Sequence, residues 1–244
     1  PLKAMIEAGK YFLRKQKHST GVSDDELIKI AVKTMGMSEL REFKPDEKII
    51  EYVMQEKNKN RLTDLPLRQF MEITASEVPA PGGGSVAAYI GSLGAALGTM
   101  VANLSAHKKG WDERWQEFSE WAEKGKEIQN MLLELVDEDT EAFNDFMAAT
   151  LVPFRVMETA VKGFEVVKAM AETGNPNSVT DAGVGALALK ACIKGAYLNV
   201  CINASGIEDR HFAAEITGKA GHIAEMADIM EDEIIKIVMA KIPG

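Results

Sequence analysis

One aspartate near the middle of the chain combines an acidic side chain with apolar surroundings. At 100° per residue of an α-helix, the residues within about 60° of Asp139 are apolar: Ile128, Leu132, Leu135, Ala142, Phe143 and Phe146. A buried, unpaired carboxylate is costly, so it carries a raised pKa or has a dedicated partner. Both conditions suit a general acid or base. An equally good interpretation is structural, in which Asp139 caps a neighbouring helix or pairs with a lysine.

A glycine-rich turn precedes a helix of small residues. It reads Pro79-Ala80-Pro81-Gly82-Gly83-Gly84-Ser85, which breaks both helix and strand ladders. Backbone amides at such a helix start can bind an anion, and glycines let a ligand approach the backbone. Neither a Lys-Ser/Thr pair after the glycines nor a strand before them is present, which excludes a P-loop and a dinucleotide fingerprint. The alternative is a tight connection into a buried helix.

Other polar residues could contact a ligand. Asn199 and Asn203 lie four residues apart, so they share a helix face that suits a flat heterocycle, unless Asn203 merely ends the helix. Lys108 and Lys109 could bind an anion, although complementing a helix dipole is the commoner role. Thr180 or Asp181 is the predicted cap of a later helix, and Asp181 is a further candidate binding residue. The four histidines are scattered without metal-ligand spacing, and we expect no metal site.

Helical periodicity dominates the sequence and predicts an all-α, up-and-down antiparallel helix bundle. The predicted helices cover 2–16, 23–36, 45–57, 66–76, 85–105, 112–149, 181–202 and 208–242. The second of them starts with the capping-box spacing Ser23-Asp24-Asp25-Glu26. A polar run from Glu56 to Arg61 predicts a linker, which divides a small helical segment at 1–60 from a domain at 61–244. The apolar pattern that begins at 112 continues to Glu172, with Pro153 inside. Such length predicts either a kink at Pro153 or a missing loop near 149–150.

Composition narrows the classes of function. The chain has 244 residues with 37 acidic and 28 basic side chains, a net charge of −9 that argues against general nucleic-acid binding. Cys192 and Cys201 lie nine residues apart on opposite helix faces, which favours reduced thiols in a cytoplasmic protein. We expect no signal peptide, because the start Pro1-Leu2-Lys3 has no long apolar core. Residues 78–106 carry no charge and could span a bilayer, but glycine, alanine and serine dominate them. We therefore expect a buried helix and no membrane span.

Three segments resemble the cyclodeaminase domain of the formimidoyltransferase-cyclodeaminase family, whose signature is shared by methenyltetrahydrofolate cyclohydrolases. They are Pro81-Gly82-Gly83-Gly84-Ser85-Val86-Ala87-Ala88, Leu135-Val136-Asp137-Glu138-Asp139-Thr140-Glu141-Ala142-Phe143 and Gly195-Ala196-Tyr197-Leu198-Asn199-Val200-Cys201-Ile202-Asn203. Residues 1–57, with Phe43-Lys44-Pro45-Asp46-Glu47, resemble the end of the family's formimidoyltransferase domain. One departure stands out, because family members have about two dozen more residues where this chain reads Ala148-Ala149-Thr150-Leu151.

The resemblance implies an all-α homo-oligomer built from dimers, with a tetrahydrofolate derivative as substrate and no metal. The implied reaction converts 5-formimidoyltetrahydrofolate to 5,10-methenyltetrahydrofolate and ammonia, in histidine degradation, with Asp139 as the catalytic residue. The implied substrate-binding residues are Pro81, Gly82, Gly83, Gly84, Ser85, Lys108, Lys109, Asp181, Asn199 and Asn203. The lysines would meet the glutamate tail of a polyglutamylated folate. Two alternatives stay open, a methenyltetrahydrofolate cyclohydrolase and a non-catalytic helical assembly module.

Overall fold

The structure, a computed structural model, describes residues 1–39, 41–54, 61–142 and 146–243. All regular structure within these ranges is helical, which confirms the all-α prediction. The α-helices are α1 (Leu2–Lys15), α2 (Asp24–Thr34), α3 (Pro45–Lys48), α4 (Ile50–Met54), α5 (Leu67–Thr74), α6 (Gly83–Ala106), α7 (Trp115–Glu141), α8 (Phe146–Thr173), α9 (Val179–Ala204) and α10 (Arg210–Lys241). Short 3-10 helices cover Leu62–Asp64 and Pro176–Ser178.

The first helices form a small unit with its own apolar core of Met5, Ile28, Ala31 and Ile49. Helix α2 begins where the capping-box spacing predicts, because the Ser23 hydroxyl accepts the backbone N–H of Glu26 at 3.3 Å. The single helix predicted over 45–57 is wrong. Ile49 has extended backbone angles and separates α3 from α4, and its buried side chain joins the small core. The rest of that predicted helix, and most of the predicted linker, lie outside the described residues.

Helices α6 to α10 form the main bundle, and successive members run antiparallel. Contacts at opposite ends of each pair show the direction: Ser85 meets Asp139 while Thr99 lies against Gly125, and Ala149 meets Asn203 while Gly163 lies against Leu189. On the outside, Lys194 pairs with Asp228 and Lys190 with Glu231, which aligns α9 with α10. This is the predicted up-and-down arrangement.

Small residues let α6 lie close to its neighbours in the centre of this bundle. A side chain at Gly94 would approach the carbonyl oxygen of Gly185 to 2.9 Å, and one at Gly98 would approach Val167 to the same distance. The charge-free run that resembles a membrane span is thus largely a packing surface. By length and composition alone, α6 and the segment Pro176–Ala204 could each cross a bilayer, but 61% of the apolar window of α6 is buried within the fold.

The helix predicted over 112–149 is interrupted. Helix α7 ends at Glu141 and α8 begins at Phe146, so the chain reverses between them and α8 returns antiparallel to α7. Burial explains the reversal, because Val152 and Val156 then enter the same core as Leu132 and Leu135, whereas one straight helix would leave them unpartnered. Pro153 lies inside α8 without ending it. Hence the break in the apolar pattern lies before the proline, between α7 and α8.

The small unit is fixed to α6 and α7 through the turn before α2. The backbone N–H of Thr20 donates to the Ser119 hydroxyl at 3.0 Å, and the Thr20 hydroxyl bonds to the Glu123 carboxylate. Gly21 lies directly on Ala122, and its carbonyl accepts the Asn103 side-chain amide at 2.9 Å. Lys10 and Arg14 also reach Glu123. This cluster lowers the pKa of Glu123 in spite of burial, through the Thr20 hydroxyl and the two cations.

Candidate active site

The glycine-rich turn and Asp139 meet at the amino end of α6. Asp139 lies near the end of α7, half-buried, above buried Leu132 and Leu135. Ser85, fully buried in the first turn of α6, donates its hydroxyl to Asp139 Oδ2 at 2.9 Å. A side chain at Gly84 would overlap Asp139 Oδ1, so glycine is what permits the carboxyl to lie against the helix start.

The apolar stripe around Asp139 is present in part. Ile128, Leu132, Leu135 and Ala142 are buried as predicted. Phe146 begins α8 instead and is 62% exposed, because the chain reverses before it. Phe143 lies outside the described residues. The correct part of the stripe covers the turns of α7 that face α6, which is enough to bury Asp139 from that side.

The electrostatics of Asp139 combine two opposing effects. Burial raises the pKa of the carboxyl, and hydrogen bonds from the hydroxyl and backbone of Ser85 lower it, with a net rise. Within the described residues, Asp139 takes part in no ion pair. The hydrogen bond between Ser85 and Asp139 at the first turn of α6 corresponds to the helix-capping role that the sequence left open. No lysine of the described residues pairs with Asp139. The same geometry leaves a half-buried carboxyl of raised pKa beside a glycine turn, and a group of this kind is a candidate for proton transfer.

The asparagines approach this site from α9. The Asn199 amide is half-buried, lies beside Gly83, and donates to the Gly195 carbonyl of its own helix at 2.9 Å. Asn203 does more than end the helix, since its side chain donates to the Ala149 carbonyl of α8 at 2.6 Å. Pro81 is buried and Gly82 precedes the helix as its cap. The structure therefore brings the turn, Asn199 and Asp139 together.

The remaining predicted binding residues lie elsewhere. Lys108 and Lys109 follow the carboxyl end of α6, and a helix of 24 residues is about 35 Å long. Lys108 Nζ lies 3.9 Å from the centre of the Trp111 ring. Asp181 is in the first turn of α9, which is the end opposite Asn199, and Ser178 rather than Asp181 or Thr180 holds the capping position. These three residues are thus separated from Asp139 by the length of the bundle.

Several cavities lie on the junction between the small unit and the bundle. One of about 630 Å³ is lined by residues of α7 and α2, and one of about 380 Å³ is lined by the carboxyl half of α6. Neither includes Asp139 or the glycine turn.

Sequence reasoning missed both the junction and Thr140, whose hydroxyl lies 3.3 Å from that of Ser85. The adjacent position of Thr140 in the sequence was the available signal.

No group of three His, Cys, Asp or Glu side chains in the described ranges could hold a metal ion.

Comparison with known proteins decides the family. The family model described as formiminotransferase-cyclodeaminase matches residues 66–151 and 148–222, and the formiminotransferase domain model matches residues 1–55. The chain belongs to the formiminotransferase-cyclodeaminase family. The formimidoyltransferase-cyclodeaminase of Gallus gallus is 32% identical over 253 residues, covering 93% of this chain and 47% of that protein. The chain thus spans about half the length of such relatives.

Two single-domain relatives cover the bundle. The methenyltetrahydrofolate cyclohydrolase of Methylorubrum extorquens is 30% identical over 201 residues, covering 72% of this chain and 97% of that protein. The crystal structure of formiminotetrahydrofolate cyclodeaminase from Thermotoga maritima superimposes with a TM-score of 0.63 at 26% identity, covering 73% of this chain and 96% of that one. Within the formiminotransferase-cyclodeaminase family, the bundle is therefore the cyclodeaminase-like part.

The comparisons also bear on the predicted missing loop. The two pieces of the family-model match meet at residues 148–151. The alignment with the Gallus gallus protein has 253 positions but covers 93% of these 244 residues, so roughly two dozen positions have no counterpart here. The chain is therefore short relative to its family close to the start of α8, where the helical pattern also failed.

Proposed function

We propose that the chain catalyses the cyclodeaminase reaction, in which 5-formimidoyltetrahydrofolate becomes 5,10-methenyltetrahydrofolate and ammonia. The observation that carries the proposal is the half-buried Asp139 of raised pKa at the glycine start of α6, in a chain of this family. A carboxyl without an ionic partner among the described residues is available to exchange a proton, while the exposed Gly83 leaves room for a ligand beside Asn199.

In the proposed mechanism, N10 of the folate attacks the formimidoyl carbon on N5. Both atoms belong to one substrate, so the site fixes their orientation and excludes water. N10 loses a proton and the departing nitrogen gains one before it leaves as ammonia. Asp139 performs the two transfers in turn, as base and then as acid, which is worth about 10² to 10⁴ in rate. The glycine turn and Asn199 would hold the pterin.

The wider context belongs to the same proposal. We propose a cytoplasmic enzyme that acts in histidine degradation as part of a longer bifunctional formimidoyltransferase-cyclodeaminase, with residues 1–60 as the end of the transferase domain. The match of the transferase domain model to residues 1–55 supports this assignment. Lys108 and Lys109 would bind the glutamate tail of polyglutamylated folate. Because they lie at the far end of α6, that role requires a tail that extends away from Asp139.

We also propose that a second copy of the chain covers the exposed apolar faces of α6 and α9. The face on α9 presents Val184, Leu187, Leu198 and Ile202, and the face on α6 presents Leu93 and Leu104. Leu198 and Ile202 flank Asn199, so the face begins beside the candidate site. An apolar surface on both helices suits a self-complementary pair, as in two-fold symmetric dimers. Light scattering should give a dimer or a multiple of it, and Leu198→Glu should weaken that assembly.

The experiment is an assay of the full chain with 5-formimidoyltetrahydrofolate, following ammonia release and the absorbance of the methenyl product. Ammonia and product should appear in equal amounts. The second candidate is methenyltetrahydrofolate cyclohydrolase, which the likeness to the Methylorubrum extorquens protein favours. It predicts loss of methenyltetrahydrofolate to hydrolysis without ammonia release. A chain that binds no folate in calorimetry would refute both enzymes and favour the assembly module.

A further inference from the structure

The first turn of α6 holds a serine whose hydroxyl has two partners on α7. Ser85 Oγ lies 2.9 Å from Asp139 Oδ2 and 3.3 Å from Thr140 Oγ1, and Ser85 is fully buried. Its environment therefore differs from that of Gly83, which is exposed beside Asn199. A buried hydroxyl turned towards α7 is placed to act on Asp139 rather than on a ligand.

The chemistry of the three groups fixes the direction of both hydrogen bonds. An ionised carboxylate only accepts, so Ser85 donates to Asp139 Oδ2. A hydroxyl has one hydrogen, so Ser85 can only accept in its contact with Thr140, and the Thr140 hydroxyl donates. The resulting chain runs from Thr140 through Ser85 to Asp139. The hydrogen bond from Ser85 holds Oδ2, whereas Oδ1 accepts no side-chain hydrogen bond from the described residues.

The charged neighbours of Asp139 are bound elsewhere. On α7, Asp137 accepts hydrogen bonds from Arg61 at 3.1 Å and from the backbone N–H of Leu62 at 2.6 Å. Glu138 pairs with Arg155 of α8. The first turn of α6 contributes only glycines and Ser85, and α9 contributes the neutral amide of Asn199. Ser85 is therefore the described side chain that most directly stabilises ionised Asp139, against the rise in its pKa that burial causes.

We propose that Ser85, supported by Thr140, is a positioning residue that holds Asp139 through Oδ2 and leaves Oδ1 to exchange the proton with the folate. The proposal rests on the proposed function, since it assigns the reacting oxygen of its acid–base group. The resemblance implied that Ser85 contacts the substrate. In this proposal Ser85 instead contacts Asp139, which acts on the substrate.

The kinetic test compares Ser85→Ala with Ser92→Ala. Ser92 is a matched control because it is also buried on α6, and its hydroxyl donates to the Tyr89 carbonyl of its own helix at 2.8 Å. In Ser85→Ala we expect kcat for ammonia release to fall about 10- to 100-fold, the loss of a hydrogen bond to a charged group, with KM within about threefold of the original. The acidic limb of the pH profile should move to higher pH because ionised Asp139 loses a donor. Equal profiles for the two variants would overturn the proposal.

A second measurement does not depend on activity. The carboxyl of Asp139 can be titrated by 13C NMR in the full chain, with the signal assigned through Asp139→Asn. The pKa of Asp139 should be higher in Ser85→Ala than in Ser92→Ala, and Thr140→Val should move it in the same direction by less. An unchanged titration in Thr140→Val and Ser85→Ala would overturn the proposal even in an active enzyme. If the original chain releases no ammonia but the titrations shift, the proposed function fails and the positioning role of Ser85 stands. Should Ser85→Ala not fold, the Thr140→Val titration alone decides.

Discussion

The two ends of α6 differ in how their charged residues are accommodated. At the amino end, Asp139 lies half-buried against glycines, with only the hydroxyl and backbone of Ser85 opposing the rise in its pKa. At the carboxyl end, Lys108 lies over Trp111, and the Arg114 guanidinium lies over both Trp111 and Phe118. The cations at the carboxyl end contact aromatic rings, whereas the Asp139 carboxyl at the amino end has no ionic partner among the described residues. The amino end is therefore the place of the proposed proton transfer, and the carboxyl end can contribute to affinity or stability.

The largest effect should come from Asp139→Asn. The amide retains the shape and an acceptor for Ser85 but cannot transfer the proton, so ammonia release should fall by about 10² to 10⁴. Folate affinity, measured by calorimetry, should stay within about threefold of the original because the glycine turn is unaltered. Turnover at the original rate would remove the functional difference between the two ends.

Gly84→Ala should have the next largest effect. The added methyl group overlaps Asp139 Oδ1, so the carboxyl must shift or α6 and α7 must separate. A displaced reacting group can cost about 100-fold in rate, and overpacking costs about 1–3 kcal/mol in the free energy of unfolding. The control is Gly218→Ala in α10, where an added methyl group meets nothing within 4 Å. Urea unfolding of that control should show a gain of up to about 1 kcal/mol, with activity retained.

At the other end, Lys108→Ala should have a smaller and more selective effect. Loss of the contact with Trp111 at 3.9 Å removes a cation–π interaction worth about 0.5–1 kcal/mol at an exposed site. If Lys108 meets the glutamate tail, KM for polyglutamylated substrate should rise about threefold, while KM for the monoglutamate stays constant. Equal changes for the two substrates would limit Lys108 to a structural role.

The smallest effect concerns stability and pH. The pKa of Asp139 is raised above its ordinary value of 3.8 in the folded chain. Below that value both states are protonated and the shift changes nothing. As pH rises, the unfolded chain ionises first, so Asp139 progressively lowers the free energy of unfolding until its folded pKa is passed. Asp139→Asn should therefore gain stability relative to the original chain as the pH rises above about 4 in urea titrations. A constant difference would mean that burial does not disfavour the charge.

Local pattern was sufficient to predict the candidate site at the amino end. The apolar stripe of α7 selected Asp139, and the glycine turn before α6 followed from residue types with strong backbone preferences. The capping box of Ser23 was also readable, because a cap depends on neighbours in sequence. The acid–base role of these residues stays a prediction.

Other features depend on contacts between distant segments, which one sequence does not reveal. The separation of Lys108 and Asp181 from Asp139 follows from helix direction in the assembled bundle. The division of the helix predicted over 45–57 follows from the burial of Ile49 in a small tertiary core. The end of α7 before Phe146 follows from the return of α8 against α7. In each case packing between elements overrode a local helical preference.

The contacts of Thr20 and Gly21 with α6 and α7 mean that the chain cannot be cut near residue 60 without loss. Removing residues 1–60 would leave the Glu123 carboxylate without Lys10, Arg14 and Thr20, and would expose the surface of Ala122 on which Gly21 lies. An isolated bundle would therefore need substitutions at these positions to regain its solubility and melting temperature. The small unit and the bundle, joined in this way, depend on each other for their folded stability.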